Sequence, residues 1–431
     1  MKKVLVLMLT LLLTLTSAVN VLAVTNINTS SIVSTSSTTG GQSPESVIAE
    51  DIKAQNDNDN TTYLNIRSEK EVAPECQSII KSINQNQPNL DVMKDVTSAK
   101  LVSVKELPSD LAANLTNINL YKQTWSEVKT YYVAIDYKVK KESRWFYNGL
   151  NYRLMVLALE NNRWVIAEES MAPVPNIVEA GQGFGTKEES IVKDLLTNRA
   201  KTAKFYDLQG QLIEDNADKP DQITKELRSN NAKAVNAALT AQIANNSISG
   251  ITVQPNTTFT PPSTIRVYRT STGTVDYVSF DYYVKHVLPY EWLDSWPAVS
   301  LQSGAMAVKM YGWYFTLHPH SSSYDVKDDT TDQKYVPGDI SQFGNCTAAV
   351  DATNGTLITN SDAVIFITHY WAGYYAAGRY GPPSCPTDGW LWQNGSDYWA
   401  NNGATAWLWI VNYAYNNSDT DGYLPLSMYF Y

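Results

Sequence analysis

Basic side chains are scarce in this sequence. Its 33 lysines and arginines are outnumbered by 43 aspartates and glutamates, which gives a formal net charge of −10 and a pI near 5.0. Nucleic-acid recognition calls for a basic face, so no nucleic-acid partner is expected. Cysteine is rarer still, at three in 431 residues, which excludes a disulfide-dense scaffold. None of the three stands near Ala23, so lipid attachment there is not expected, and no sorting motif with an apolar tail follows the last aromatic stretch. Internal repeats are absent.

The first positive signal is an export segment. Lys2 and Lys3 precede the apolar run Val4 to Leu15, and Val21-Leu22-Ala23 ends in a small residue suited to signal peptidase. Residues 1–23 are therefore expected to be a signal peptide, with the protein secreted to the cell wall. Membrane contact is expected only if that segment stays uncleaved as an anchor. Residues 24–60, rich in Ser, Thr, Asn and Asp, read as a disordered polar spacer.

The length allows two or three domains, and the pattern predicts a multi-domain α+β fold. Residues 61–175 read as an N-terminal α+β module. Apolar residues at helical spacing over Glu71–Ile83 (Val72, Cys76, Ile79, Ile80, Ile83) predict a helix. Alternation over Tyr131–Val139, with Val133, Ile135, Tyr137 and Val139 on one face, predicts a strand. Strands over Leu150–Leu159 and Arg163–Glu168 flank the turn Glu160-Asn161-Asn162. A helix plus antiparallel sheet suits a nuclear-transport-factor-like or cystatin-like module, in which Arg144, Trp145 and Tyr147 read as a turn. Residues 176–261 read as a connector with helices over Lys187–Phe205 and Gln222–Asn245. A hairpin, Thr264–Tyr268 with Val275–Phe280, then opens a mixed α+β, catalytic-like domain over 262–431.

That domain carries the chemical signal. Glu291 lies among Pro289, Tyr290 and Trp292, and apolar surroundings disfavour a charged carboxylate, which suits a proton donor. Leu301, Ala305, Val308, Gly312 and Phe315 fall at helical spacing after Pro297, so a helix follows, with either Ser295 or Trp296 as its cap and Glu291 in the loop before it. Asp294, the other nearby acid, reads as a helix-start residue. Nine of the 12 tryptophans lie after residue 290, and aromatic faces stack on the C–H faces of sugars. Two of three cysteines in an exported chain should pair. Cys346 and Cys385 share this domain and are the expected disulfide, with Cys76 left as a lone buried thiol.

Four segments in order resemble one family. Val284 to Pro289 with Glu291, Ser295-Trp296-Pro297 and Leu301 to Tyr311 form the first. Thr330-Thr331-Asp332-Gln333-Lys334-Tyr335, Ala349-Val350 to Thr353-Asn354-Gly355, and Gln393-Asn394-Gly395 with Ala400 and Gly403 follow. Together, over about 262–431, they are similar to the stage II sporulation protein D and amidase-enhancer domain family. The resemblance implies a lytic transglycosylase acting on peptidoglycan glycan strands with Glu291 as both acid and base. It also implies sugar-binding roles for Trp292, Trp296, Lys309, Gln333, Tyr335, Tyr370 and Gln393. The alternative it leaves open is a non-catalytic glycan-binding protein that stimulates or localises a cell-wall amidase. Two departures stand out. Gly304 replaces a common glutamine, and Thr331 and Asp332 replace a zinc-binding histidine-cysteine pair, so no metal and no cofactor are expected. His318 and His320, with Asp325, Asp328 and Asp329 nearby, read as a polar loop.

Overall fold

The computed structural model describes residues 42–70, 79–81, 93–245, 248, 250–254, 259–373, 389–416 and 425–431. The expected signal peptide, the first part of the spacer, Glu71–Ser78 and both Cys76 and Cys385 lie outside the described residues. Within them no helix is long and apolar enough to cross a membrane.

The polar spacer is a helix in its second half. Helix α1 (Pro44–Asp57) starts where the Ser43 hydroxyl accepts from the Ser46 N–H and Pro44 occupies the first turn. Val47, Ile48 and Ile52 are fully buried on its inner face, each side chain contributing about 1.5–3 kcal/mol of burial. The disorder expectation fails because composition averages over these three residues. A short helix α2 (Asn60–Asn65) follows, and of the helix expected over Glu71–Ile83 the described residues 79–81 are helical, with Ile79 buried.

Strand β1 (Val96–Glu106), which sequence reading missed, is followed by helices α3 (Ser109–Leu115) and α4 (Ile118–Thr124). Strands β2 (Val128–Val139), β3 (Gly149–Glu160) and β4 (Arg163–Met171) complete an antiparallel meander in the order β1-β2-β3-β4. Asn161 and Asn162, at φ 53° and 61°, make the β3–β4 turn, a conformation asparagine tolerates. Val133, Ile135 and Tyr137 face α1. Tyr132 and Ala134 on the opposite face pack against α5 (Val174–Glu179) and α6 (Lys187–Thr202) through Ile177, Val192 and Leu196. The sheet is thus covered on both faces, and the helix read as a connector belongs to the module. Arg144, Trp145 and Tyr147 are buried.

A small hairpin, β5 (Lys204–Tyr206) and β6 (Leu212–Asp215), leads to the long helix α7 (Gln222–Ala244), of which only Leu239 and Gln242 are buried. The C-terminal domain then draws in β7 (Ile251–Gln254), which pairs in parallel with the last strand β14 (Leu426–Phe430), itself antiparallel to β11 (Thr356–Thr359). The expected hairpin is β8 (Thr264–Arg269) and β9 (Thr274–Ser279), extended by β10 (Val326–Lys327) in parallel with β8. Helix α8 (Phe280–Glu291) follows β9 directly, capped by the Ser279 hydroxyl.

Helix α9 (Ala298–Leu317) is the centre of the domain. It is buried almost without interruption from Ser300 to Leu317, not along one stripe. Pro297 itself is the N-cap, with no side-chain hydrogen bond, so neither Ser295 nor Trp296 caps the helix. Two glycines let neighbours approach its backbone. A Cβ on Gly304 would stand 2.6 Å from the Trp292 ring, and one on Gly312 would stand 2.8 Å from Tyr283. Trp292 therefore accounts for the glycine that replaces glutamine at 304. Helix α10 (Gly344–Thr353), strands β12 (Tyr370–Trp371) and β13 (Leu391–Trp392), and helices α11 (Gln393–Asn401) and α12 (Trp407–Tyr415) surround it.

Module and domain meet in a buried polar seam. The Met171 N–H donates to the Pro319 carbonyl at 3.1 Å. Asp325 accepts from Arg144 of the module at 3.2 Å and from Arg266 of β8 at 2.7 Å. His320 lies between Glu168 of β4 and Asp332, with both ring nitrogens 2.8 Å from a carboxylate oxygen. Burial alone would favour the neutral ring, but the two carboxylates outweigh it and raise His320 from 6.5 to about 10. Glu168 and Asp332 are lowered despite burial, chiefly by His320.

Two outcomes are expected. The raised His320 contributes stability that is fully present below its unfolded value of 6.5 and is lost as pH rises through about 10. The lowered carboxylates contribute above their ordinary range and lose it in acid. In urea unfolding, the gap between wild type and His320→Gln should be widest near pH 6 and should close toward about pH 10. Gly304→Ala should lower the urea midpoint, at a cost of roughly 1–3 kcal/mol from overpacking against Trp292.

Candidate functional site

Glu291 is the last residue of α8, not a loop residue as the sequence suggested. Pro289 lacks an N–H, and the helix closes when the Trp292 N–H donates to the Leu288 carbonyl at 2.8 Å. The half-buried carboxyl accepts the backbone N–H of Lys334 at 2.7 Å on one oxygen and the Gln393 side-chain amide at 3.1 Å on the other. Burial raises its pKa above the ordinary 4.5, and the Lys334, Gln393 and Tyr370 contacts oppose that only in part. A carboxylate at a helix C-terminus also faces the negative end of the macrodipole. The Tyr370 hydroxyl, buried and without a complete hydrogen bond, interacts with the same carboxyl. Tyr290 and Leu293, on either side of Glu291 and Trp292 in sequence, are exposed.

Glu291, Tyr370 and Gln393 therefore come together, and the remaining expected site residues divide. Trp292 is 1% exposed, donates to the Ser396 hydroxyl at 3.0 Å, and stands edge-on to Tyr370 at 5.0 Å. It is a wall behind the site and offers no face to a sugar. Trp296 is partly buried against the core. Gln333 is fully buried and accepts from the Tyr283 hydroxyl at 2.6 Å, while Tyr335 is buried and stacks on Tyr283. Both support the site from behind.

Lys309 is not beside Glu291. Its ammonium donates to the carbonyls of Thr353 and Thr356 at 2.7 and 2.5 Å, tying α10 to β11. Burial, aided by Arg228, lowers it to about 7. It lines a cleft of about 740 Å³ beside α7, on another side of α9 from Gly304 and Trp292. The helical pattern marked Lys309 as inward but could not say toward what. Asp294 accepts the Cys346 N–H at 2.7 Å and so serves the first turn of α10. Cys346 is buried and has no disulfide partner among the described residues; burial and Asp294 raise its thiol. Its expected partner lies outside the described residues.

Among the described residues no cluster suits a metal ion. Asp325 and Asp328 are paired with Arg266 and Arg269, and His320 is held by Glu168 and Asp332. Sequence reasoning missed two contributors. The Lys334 contribution is a main-chain N–H, which no side-chain pattern reveals. Trp371 is 43% exposed, sits beside Tyr370, and pairs with Trp392 immediately before Gln393. The Trp390 ring, 6.1 Å from that of Trp371, stacks on His369 at 4.4 Å. Exposure alone separates Trp371 from its buried neighbours.

No curated protein matches the chain. Residues 268–360 match the family model described as stage II sporulation protein, SpoIID. That segment contains Glu291, α9 and Lys334, while Tyr370 and Gln393 lie beyond it. Over residues 268–360 this chain is similar to the SpoIID family, and the similarity suggests a role related to sporulation and the cell wall.

Proposed function

We propose that the protein is an exported peptidoglycan lytic transglycosylase in which Glu291 acts first as acid and then as base. The observation that carries this reading is the half-buried Glu291 carboxyl, held on both oxygens by Lys334 and Gln393 and raised by burial. A proton on one oxygen passes to the glycosidic oxygen as its bond to the anomeric carbon breaks. The resulting carboxylate then removes the proton of the sugar's own C6 hydroxyl, whose oxygen closes a 1,6-anhydro ring. One carboxyl group suffices, where hydrolysis usually needs two. The Gln393 amide can donate or accept on rotation, so it can serve both protonation states. Trp371, next in the chain to Tyr370, offers an exposed ring for sugar stacking.

Glu291→Gln keeps shape and hydrogen bonding but has no transferable proton. Release of anhydro-muramic products from purified glycan, read by mass, should fall on the order of 10²–10⁴-fold while glycan binding persists. Wild-type activity should decline as pH rises through the raised pKa of Glu291. Unchanged yield from the variant would contradict the assignment. Bound glycan with no product from either protein would favour the accessory role beside a cell-wall amidase.

A further inference from the structure

The seam between module and domain ends two residues from the acid's main hydrogen bond. Asp332 accepts from His320 at 2.8 Å, from the Tyr311 hydroxyl at 2.8 Å and from the Lys327 N–H at 2.6 Å. The module holds the same segment twice. Glu168 of β4 anchors the far side of His320 at 2.8 Å and is itself held by the Tyr121 hydroxyl at 2.6 Å. Asn117, between α3 and α4, donates to the Thr331 carbonyl and to the Tyr311 hydroxyl. Gln333, fully buried, leaves the chain little freedom between Asp332 and Lys334. The Lys334 N–H then meets Glu291 at 2.7 Å.

We propose that Glu168 and His320 are positioning residues: through Asp332 they fix the segment that presents the Lys334 N–H to Glu291, so the N-terminal module completes the site of the C-terminal domain. Neither touches Glu291. The arrangement gives the module a function that its own surface does not show. A buried carboxylate–imidazolium–carboxylate bridge is strict about geometry, because each partner is held in place by the others. Its effect on catalysis rests on the reading of Glu291 as the acid. Its effect on Glu291 itself does not.

The full chain, labelled with ¹³C at glutamate carboxyls and ¹⁵N in the backbone, tests this by NMR, with the Glu291 signal assigned by its loss in Glu291→Gln. In His320→Gln the Lys334 amide should move upfield and the Glu291 titration should shift to higher pH, because a hydrogen bond to the charged form is lost. Glu168→Gln, a milder change, should give the same pattern and carries the test if His320→Gln does not fold. Glu214→Gln breaks the Arg144 pair elsewhere on the seam and should leave Glu291 unmoved. In the transglycosylase assay the two positioning variants should lose kcat, on the order of 10²-fold, with KM held. A folded variant with unchanged Lys334 and Glu291 signals would overturn the proposal, as would an equal shift in Glu214→Gln. If the signals move but Glu291→Gln leaves product yield unchanged, the positioning stands and the transglycosylase reading falls.

Discussion

A single helix buried on all sides sets the terms for this domain. Because α9 is buried almost without interruption from Ser300 to Leu317, its side chains there must be matched by partners, and the partners are the working parts. Gly304 admits the Trp292 ring, which fixes the end of α8 and therefore Glu291. Gly312 admits Tyr283, whose hydroxyl holds Gln333. Lys309 ties α10 to β11, and Tyr311 reaches Asp332. Interiors packed at crystal-like density transmit displacement rather than absorb it, so a shift in α9 would be felt at the acid.

Electrostatics divides between two places with opposite logic. At Glu291 partial desolvation outweighs its hydrogen bonds and the charge of Lys334, which raises its pKa and favours the protonated form. At the seam, carboxylates from module and domain share one imidazolium, which lowers both acids and raises the base. The first arrangement suits proton transfer. The second fixes geometry, and the Lys334 N–H that meets Glu291 is two positions along the chain from Asp332.

Much of the fold was legible because its patterns are local. Strands β2 to β4 and the Asn161-Asn162 turn, helices α6 and α7, the β8–β9 hairpin and the start of α9 after Pro297 all follow from periodicity and turn chemistry. The failures are of other kinds. Helix α1 is hidden by a polar composition, since Val47, Ile48 and Ile52 suffice to dock it. Glu291 was placed near its true neighbours, but the last turn of α8 was obscured by Pro289. Trp292 and Trp371 look equivalent as letters, and only burial distinguishes a wall from an exposed ring. Helical spacing marked Lys309 as inward without naming the face it serves. The Lys334 main-chain donor and the Glu168–His320 bridge depend on contacts far apart in sequence, which no local pattern encodes.

The most direct test of the central claim is a crystal structure of Glu291→Gln with a muramic-acid-containing glycan oligomer bound. The account predicts a glycosidic oxygen within about 3 Å of the residue 291 side chain, the C6 hydroxyl of the same sugar on that side, and a sugar face against Trp371. Glycan seated instead in the cleft along α7, with residue 291 out of contact, would contradict it.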